Sequence, residues 1–86
     1  MEQFYYKQFI KDVPNHPKNG ILFRDIQPLL ADARVFEDCI NDMLDLVKFY
    51  ETDYYVGIES RGFIFSTALA WSGNRGNKLI RKAGKL

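Results

Sequence analysis

Three short stretches gather residue types that bind anions and flat bases. The first is Gly57-Ile58-Glu59-Ser60-Arg61-Gly62-Phe63, between a strand-like and a helix-like pattern. A helix N-terminus offers unpaired backbone N–H groups and a partial positive charge. Glycine lets the backbone approach a ligand closely, and arginine can grip phosphate oxygens through two parallel bonds. The stretch reads as a phosphate or pyrophosphate cradle, or as an ordinary strand-to-helix turn with a solvated Arg–Glu pair. The second stretch, Arg81-Lys82-Ala83-Gly84-Lys85, leaves the carboxyl end of another strand pattern. Its cations and glycine suit a polyphosphate, and a frayed basic segment would look the same. By the rules for open α/β sheets it falls on the same edge as Arg61. The third is Ile21-Leu22-Phe23-Arg24-Asp25. Here Phe23 could stack on a base while backbone groups read the base edge. The plainer alternative puts Phe23 in the core and makes Arg24-Asp25 an exposed ion pair.

Composition narrows the chemistry further. Among 86 residues, twelve Lys and Arg face eleven Asp and Glu, a net charge of +1. This excludes a strongly basic nucleic-acid module, and neither nucleic acid nor a membrane is expected as a partner. A small RNA- or nucleotide-binding domain using Phe23 and the basic tail is disfavoured on the same ground. One cysteine, Cys39, excludes a disulfide framework and a Cys-rich zinc site, and reads as a small core residue. One histidine, His16, removes most other metal sites and Ser-His-Asp chemistry, and reads as a surface residue. Glu59 could be a general base, a partner for a sugar hydroxyl, or, most simply, a partner for Arg61. Trp71 reads as packing or interface. No apolar run approaches about 18 residues, and the N-terminus lacks the order of a signal peptide. The expectation is a soluble, cytoplasmic protein.

The elements that position these residues follow from patterning. Phe4, Phe9, Tyr6 and Ile10 at near-helical spacing predict a short amphipathic helix over residues 2–10. Residues 13–20, with two prolines, two asparagines and a glycine, predict a loop. Pro28 suits the first turn of a short helix. Asp32 suits the N-cap of a helix from about Ala33 to about Tyr50, whose Phe36, Cys39, Ile40, Met43, Leu44 and Val47 recur by threes and fours. Residues 54–58, aromatic and β-branched, predict a buried strand. Residues 63–71 predict a helix ended by Gly73 or Gly76, and residues 78–81 the next strand. Strand, helix and strand form a parallel crossover. Two parallel strands are too few for a covered sheet, so the pattern suits the front of a larger α/β domain. Size scaling predicts about 64% of the unfolded surface buried on folding, one small core.

Taken together, these segments resemble the N-terminal half of adenine phosphoribosyltransferases, of the type I phosphoribosyltransferase family. The matching stretches are residues 17–30 (PKNGILFRDIQPLL), 57–65 (GIESRGFIF) and 80–86 (IRKAGKL). The resemblance implies an α/β fold, the N-terminal part of a Rossmann-like phosphoribosyltransferase with a parallel sheet flanked by helices. Residues 1–86 would be a single incomplete domain. Residues 1–32 would form the N-terminal helix and adenine-loop region, and residues 33–86 the helix-strand-helix-strand start of the core. Adenine would attack the anomeric carbon of phosphoribosyl pyrophosphate, giving AMP and pyrophosphate in purine salvage. Phe23 would stack on adenine, with the backbone of Leu22 and Arg24 reading its edge. Glu59, Ser60, Arg61, Arg81 and Lys85 would line the pyrophosphate site, with the Glu59–Ser60 peptide bond cis. Magnesium would arrive bound to phosphoribosyl pyrophosphate, and two copies would form a homodimer in which both shape the site.

Some family features are not matched. Pro often stands where this chain has Asn19, and residues 71–77 are unusually polar and glycine-rich. The paired acidic residues and small-residue turn that hold the ribose 5-phosphate are not among these 86 residues. The catalytic residues are expected beyond Leu86, and the 86-residue chain is expected to be inactive alone. A non-catalytic piece that folds by pairing with another chain is the alternative.

Overall fold

The structure is a computed structural model, and residues 5–84 are described. The chain divides into two units, Met1–Cys39 and Ile40–Leu86.

In the first unit a 3-10 turn, Tyr6–Phe9, is followed by β1 (Lys11–Pro14), β2 (Leu22–Asp25) and α1 (Gln27–Ala31). The predicted N-terminal helix is therefore only a four-residue 3-10 turn among the described residues; Phe4 lies outside them. It stops because Ile10 is already extended and leads into β1. Edge-to-face contacts of Tyr5 with Tyr6 and Phe9 hold it. The loop predicted from residue 13 begins two residues later. Val13 and Pro14 belong to β1, which pairs antiparallel with β2 and places Val13 opposite Phe23. Pro14 is tolerated at a strand end, where no ladder N–H is required. The connection is closed locally. His16 N–H donates to the Ile21 carbonyl at 3.0 Å, and Gly20 N–H donates to Asn15 Oδ1 at 3.0 Å. Gly20 has φ +82°, a left-handed conformation that glycine adopts without a Cβ clash. Pro28 opens α1 as expected, and Leu29 is buried in this unit with Val35 and Cys39.

The helix α2 (Ala33–Val47) runs from one unit into the other. Asp32 caps it, its Oδ1 accepting from the N–H groups of Arg34 and Val35, both at 3.1 Å. The predicted apolar positions are all buried or half-buried. The helix ends at Val47 rather than near Tyr50. Phe49 and Tyr50 beyond it are 90% and 73% exposed, so no buried face prolongs the helix.

In the second unit β3 (Tyr54–Ile58), α3 (Arg61–Gly73) and β4 (Gly76–Ile80) follow in order. β3 and β4 pair parallel, from Tyr54 opposite Gly76 to Ile58 opposite Ile80, and α3 packs on both strands. β3 is not the buried strand its composition predicts. Gly57 is buried, but Tyr54, Val56 and Ile58 are exposed, because α3 covers one sheet face only. β4 begins at Gly76, two residues before the prediction. Gly76 lies against the Tyr54 ring, where a Cβ would come within 2.5 Å, so this glycine serves strand pairing rather than helix ending. The helix ends instead at Gly73, with Asn74 left-handed at φ 55°. Arg75 secures this corner, its Nε donating to the Thr52 carbonyl at 2.7 Å. Among the described residues no helix is long and apolar enough to cross a membrane.

Candidate functional site

The seam between β3 and α3 is built from small residues. A Cβ on Gly57 would stand 2.6 Å from the Gly62 carbonyl oxygen and would also meet Ser66 Oγ. Ser66 and Ala70, further along α3, are buried. Strand and helix therefore approach at backbone contact, and the turn between them is short. The Glu59–Ser60 peptide bond within it is cis, as the resemblance implies. Arg61 is the first residue of α3 and is exposed. No side chain caps this helix start, and the Phe63 N–H donates to the Ser60 carbonyl at 3.1 Å.

Because β3 and β4 are parallel, both deliver their next residues to one sheet edge. Open α/β sheets take ligands at that edge. An open groove of about 510 Å³ lies there, lined by Ile58, Glu59, Ser60, Ile80, Arg81 and Lys82. The structure thus brings Glu59, Ser60 and Arg81 together, with Arg61 next in the chain. Lys85 lies outside the described residues. Glu59 N–H donates to the Ile80 carbonyl at 3.0 Å, and its carboxylate accepts from the backbone N–H of Lys82. The Arg81 guanidinium lies 5.4 Å from the centre of the Phe63 ring, a cation–π contact. Nothing local in the sequence singles out Phe63 for this role. An apolar run beginning at Phe63 reads as core, and no local pattern pairs it with a residue 18 positions on.

Leu22, Phe23 and Arg24 are consecutive residues of β2 in the first unit. Leu22 is 49% exposed and Phe23 half-buried. The His16 ring meets the Phe23 ring edge-on at 5.2 Å, so this exposed histidine supports the predicted stacking residue. Arg24 pairs across the hairpin with Asp12, Nε to Oδ1 3.6 Å, while Asp25 Oδ1 accepts the Gln27 N–H at 2.9 Å at the start of α1. Asp25 thus serves helix initiation as well as standing next to Arg24. Cys39 is buried as expected, and Trp71, read as packing or interface, is 86% exposed and so does not pack within this chain. Among the described residues no three His, Cys, Asp or Glu side chains converge to hold a metal ion.

No family-wide sequence model matches the chain. Individual relatives do. The adenine phosphoribosyltransferase of Halothermothrix orenii is 52% identical over 80 residues, covering 93% of this chain and 47% of the relative. The chain is similar to about half of an adenine phosphoribosyltransferase. Solved structures agree. That of the adenine phosphoribosyltransferase from Thermoanaerobacter pseudethanolicus superposes with a TM-score of 0.88 at 37% identity, covering 94% of this chain and 48% of that one. The APRTase of Giardia lamblia complexed with 9-deazaadenine gives 0.91 at 34% identity, covering 100% and 48%. The chain spans about half the length of the curated relatives it matches. Its mixed α/β architecture, with a parallel strand pair and helices, is that of the type I phosphoribosyltransferases.

Proposed function

We propose that this chain supplies the base loop and the pyrophosphate loop of a cytoplasmic adenine phosphoribosyltransferase working in purine salvage. Adenine attacks the anomeric carbon of phosphoribosyl pyrophosphate, the bond to pyrophosphate breaks, and AMP forms. The observation that carries the reading is the groove at the carboxyl ends of β3 and β4, where Ser60, Arg81 and Lys82 meet beside Arg61. Negative charge grows on the departing pyrophosphate, and fixed cations and backbone N–H groups lower the barrier by meeting it. Arg61 and Arg81 are the cations proposed here, with Lys85 adding a third and the Glu59-Ser60 turn forming the wall. Phe23 is proposed to stack on adenine, with the backbone of Leu22 and Arg24 reading its edge. Complexation of the Giardia relative with 9-deazaadenine, an adenine analogue, supports that base class. Magnesium is proposed to enter on the phosphate oxygens of the substrate, where it neutralises part of their charge. A homodimer is proposed as well.

The test is AMP formation from adenine, phosphoribosyl pyrophosphate and magnesium. In a full-length enzyme that carries this chain, Arg61→Ala is expected to lower kcat/KM by about a hundredfold, the scale of one lost transition-state donor. Asn19→Pro, a change in the connection between β1 and β2 at a residue that does not line the anion groove, is expected to alter it by less than about threefold, below 1 kcal/mol. Equal activity of the two variants refutes the pyrophosphate assignment. The 86-residue chain by itself is expected to give no AMP, because the family's 5-phosphate turn is not among its residues. A second reading, a non-catalytic piece that pairs with another chain, is supported by the exposure of Val56 (53%), Ile58 (66%) and Ile80 (53%) on the open sheet face. Substrate binding separates the two, since a purely structural piece binds neither adenine nor pyrophosphate.

A further inference from the structure

Glu59 poses a problem for an anion groove, because a carboxylate repels the ligand that its neighbours attract. Its contacts resolve the problem. The Glu59 backbone N–H donates to the Ile80 carbonyl at 3.0 Å, and the Glu59 carboxylate accepts from the Lys82 N–H. One residue thus holds the chain on both sides of Arg81. Ile80 is the last residue of β4, so the ladder ends there and the Lys82 N–H needs a partner from outside the sheet. At the other end of the same side chain, the Arg81 guanidinium rests 5.4 Å from the Phe63 ring centre, in the first turn of α3. The backbone of Arg81 is fixed by Glu59 and its head by Phe63.

We propose that Glu59 is a positioning residue, a clasp between the β3 and β4 loops that fixes Arg81 at the groove, rather than a group that touches substrate. The carboxylate does this at little electrostatic cost to the ligand, because a backbone N–H engages one of its oxygens and Arg81 and Lys82 stand on the same wall. The proposal rests on the pyrophosphate reading of the groove for its consequence, but the clasp itself is independent of any ligand.

The experiment therefore has two arms on the purified protein. In the first, amide hydrogen exchange reads the Lys82 N–H. It is expected to be protected in the unaltered protein and in Glu59→Gln, which keeps an acceptor oxygen, and to exchange about tenfold faster in Glu59→Ala, the factor for about 1.4 kcal/mol. Equal exchange in all three overturns the clasp. In the second arm, calorimetry measures binding of inorganic pyrophosphate. Arg81→Ala is expected to weaken it about tenfold, and Glu59→Ala by a comparable factor although it removes a negative charge. Glu59→Gln is expected to recover the loss. The double variant Glu59→Ala/Arg81→Ala is expected to bind no more weakly than Arg81→Ala alone, because Glu59 acts through Arg81. Tighter binding by Glu59→Ala, or full additivity in the double variant, overturns the positioning role. A protein that shows the Lys82 protection pattern but binds no pyrophosphate refutes the functional reading of the groove and leaves the clasp standing.

Discussion

Replacing Gly57 by alanine tests the packing on which the anion groove depends. The new Cβ would stand 2.6 Å from the Gly62 carbonyl oxygen and 2.9 Å from its carbon, where ordinary contact begins at 3.4 Å. The start of α3 must therefore retreat by about 0.8 Å from β3. Overpacking of this kind costs about 1–3 kcal/mol. Gly57 has an ordinary strand conformation, so alanine also stiffens the unfolded chain and returns about 0.4–1 kcal/mol. The net loss is about 1–2 kcal/mol. For a domain of this size that lowers Tm by roughly 4–16 °C. Circular dichroism during thermal unfolding reads the loss. Ser66 Oγ is the other atom in the way, and it belongs to a removable side chain. In a Ser66→Ala background the Gly62 carbonyl remains, so the cost of Gly57→Ala should persist. A loss below about 0.5 kcal/mol, or one abolished by Ser66→Ala, refutes the argument that backbone contact sets this seam.

Two further perturbations probe α2. Asp32→Ala removes the acceptor for the Arg34 and Val35 N–H groups and should destabilise the fold by about 0.5–2 kcal/mol, read from the urea midpoint; Asp32→Asn should recover most of it. Asp45 Oδ1 accepts a hydrogen bond from Lys48 Nζ at 2.8 Å, and this bond, with the attraction of the ammonium charge, holds the carboxyl below its ordinary 3.8. A lowered folded-state value means that the pair's contribution is complete above 3.8 and fades as pH falls through the lower folded value. Lys48→Met should return the NMR titration midpoint of Asp45 to its ordinary range. An unmoved midpoint refutes the pairing.

Signals that arise within a few residues are legible in the sequence. Asp32 and the three-and-four spacing after it specified α2, and Pro28 specified the start of α1. The strand-turn-helix unit around Glu59 to Gly62 was legible because a β-branched run, a glycine pair and an apolar helix pattern follow one another directly. Signals that depend on distant partners are not. Val13 and Pro14 enter a strand only because β2 lies across from them. Gly76 resembles a helix stop in isolation, and its role in β4 needs the Tyr54 ring beside it. Tyr54, Val56 and Ile58 have the composition of buried strand residues, yet their exposure depends on how many elements cover the sheet.

The sequence by itself determined which residues can recognise an anion or a base, which segments present them, and which relatives the chain resembles, because residue chemistry, caps and periodicity are local properties. Parallel pairing and a shared edge for Arg61 and Arg81 follow from the strand-helix-strand pattern, but the tertiary structure alone decided the register that sets Ile58 opposite Ile80 and the groove that the following residues line. It alone decided that Glu59 binds the backbone of Lys82 and that Phe63 supports Arg81. Those contacts join residues some twenty positions apart. Their partners are chosen by the strand register and by the close seam of α3 on β3, and no short stretch of sequence contains either.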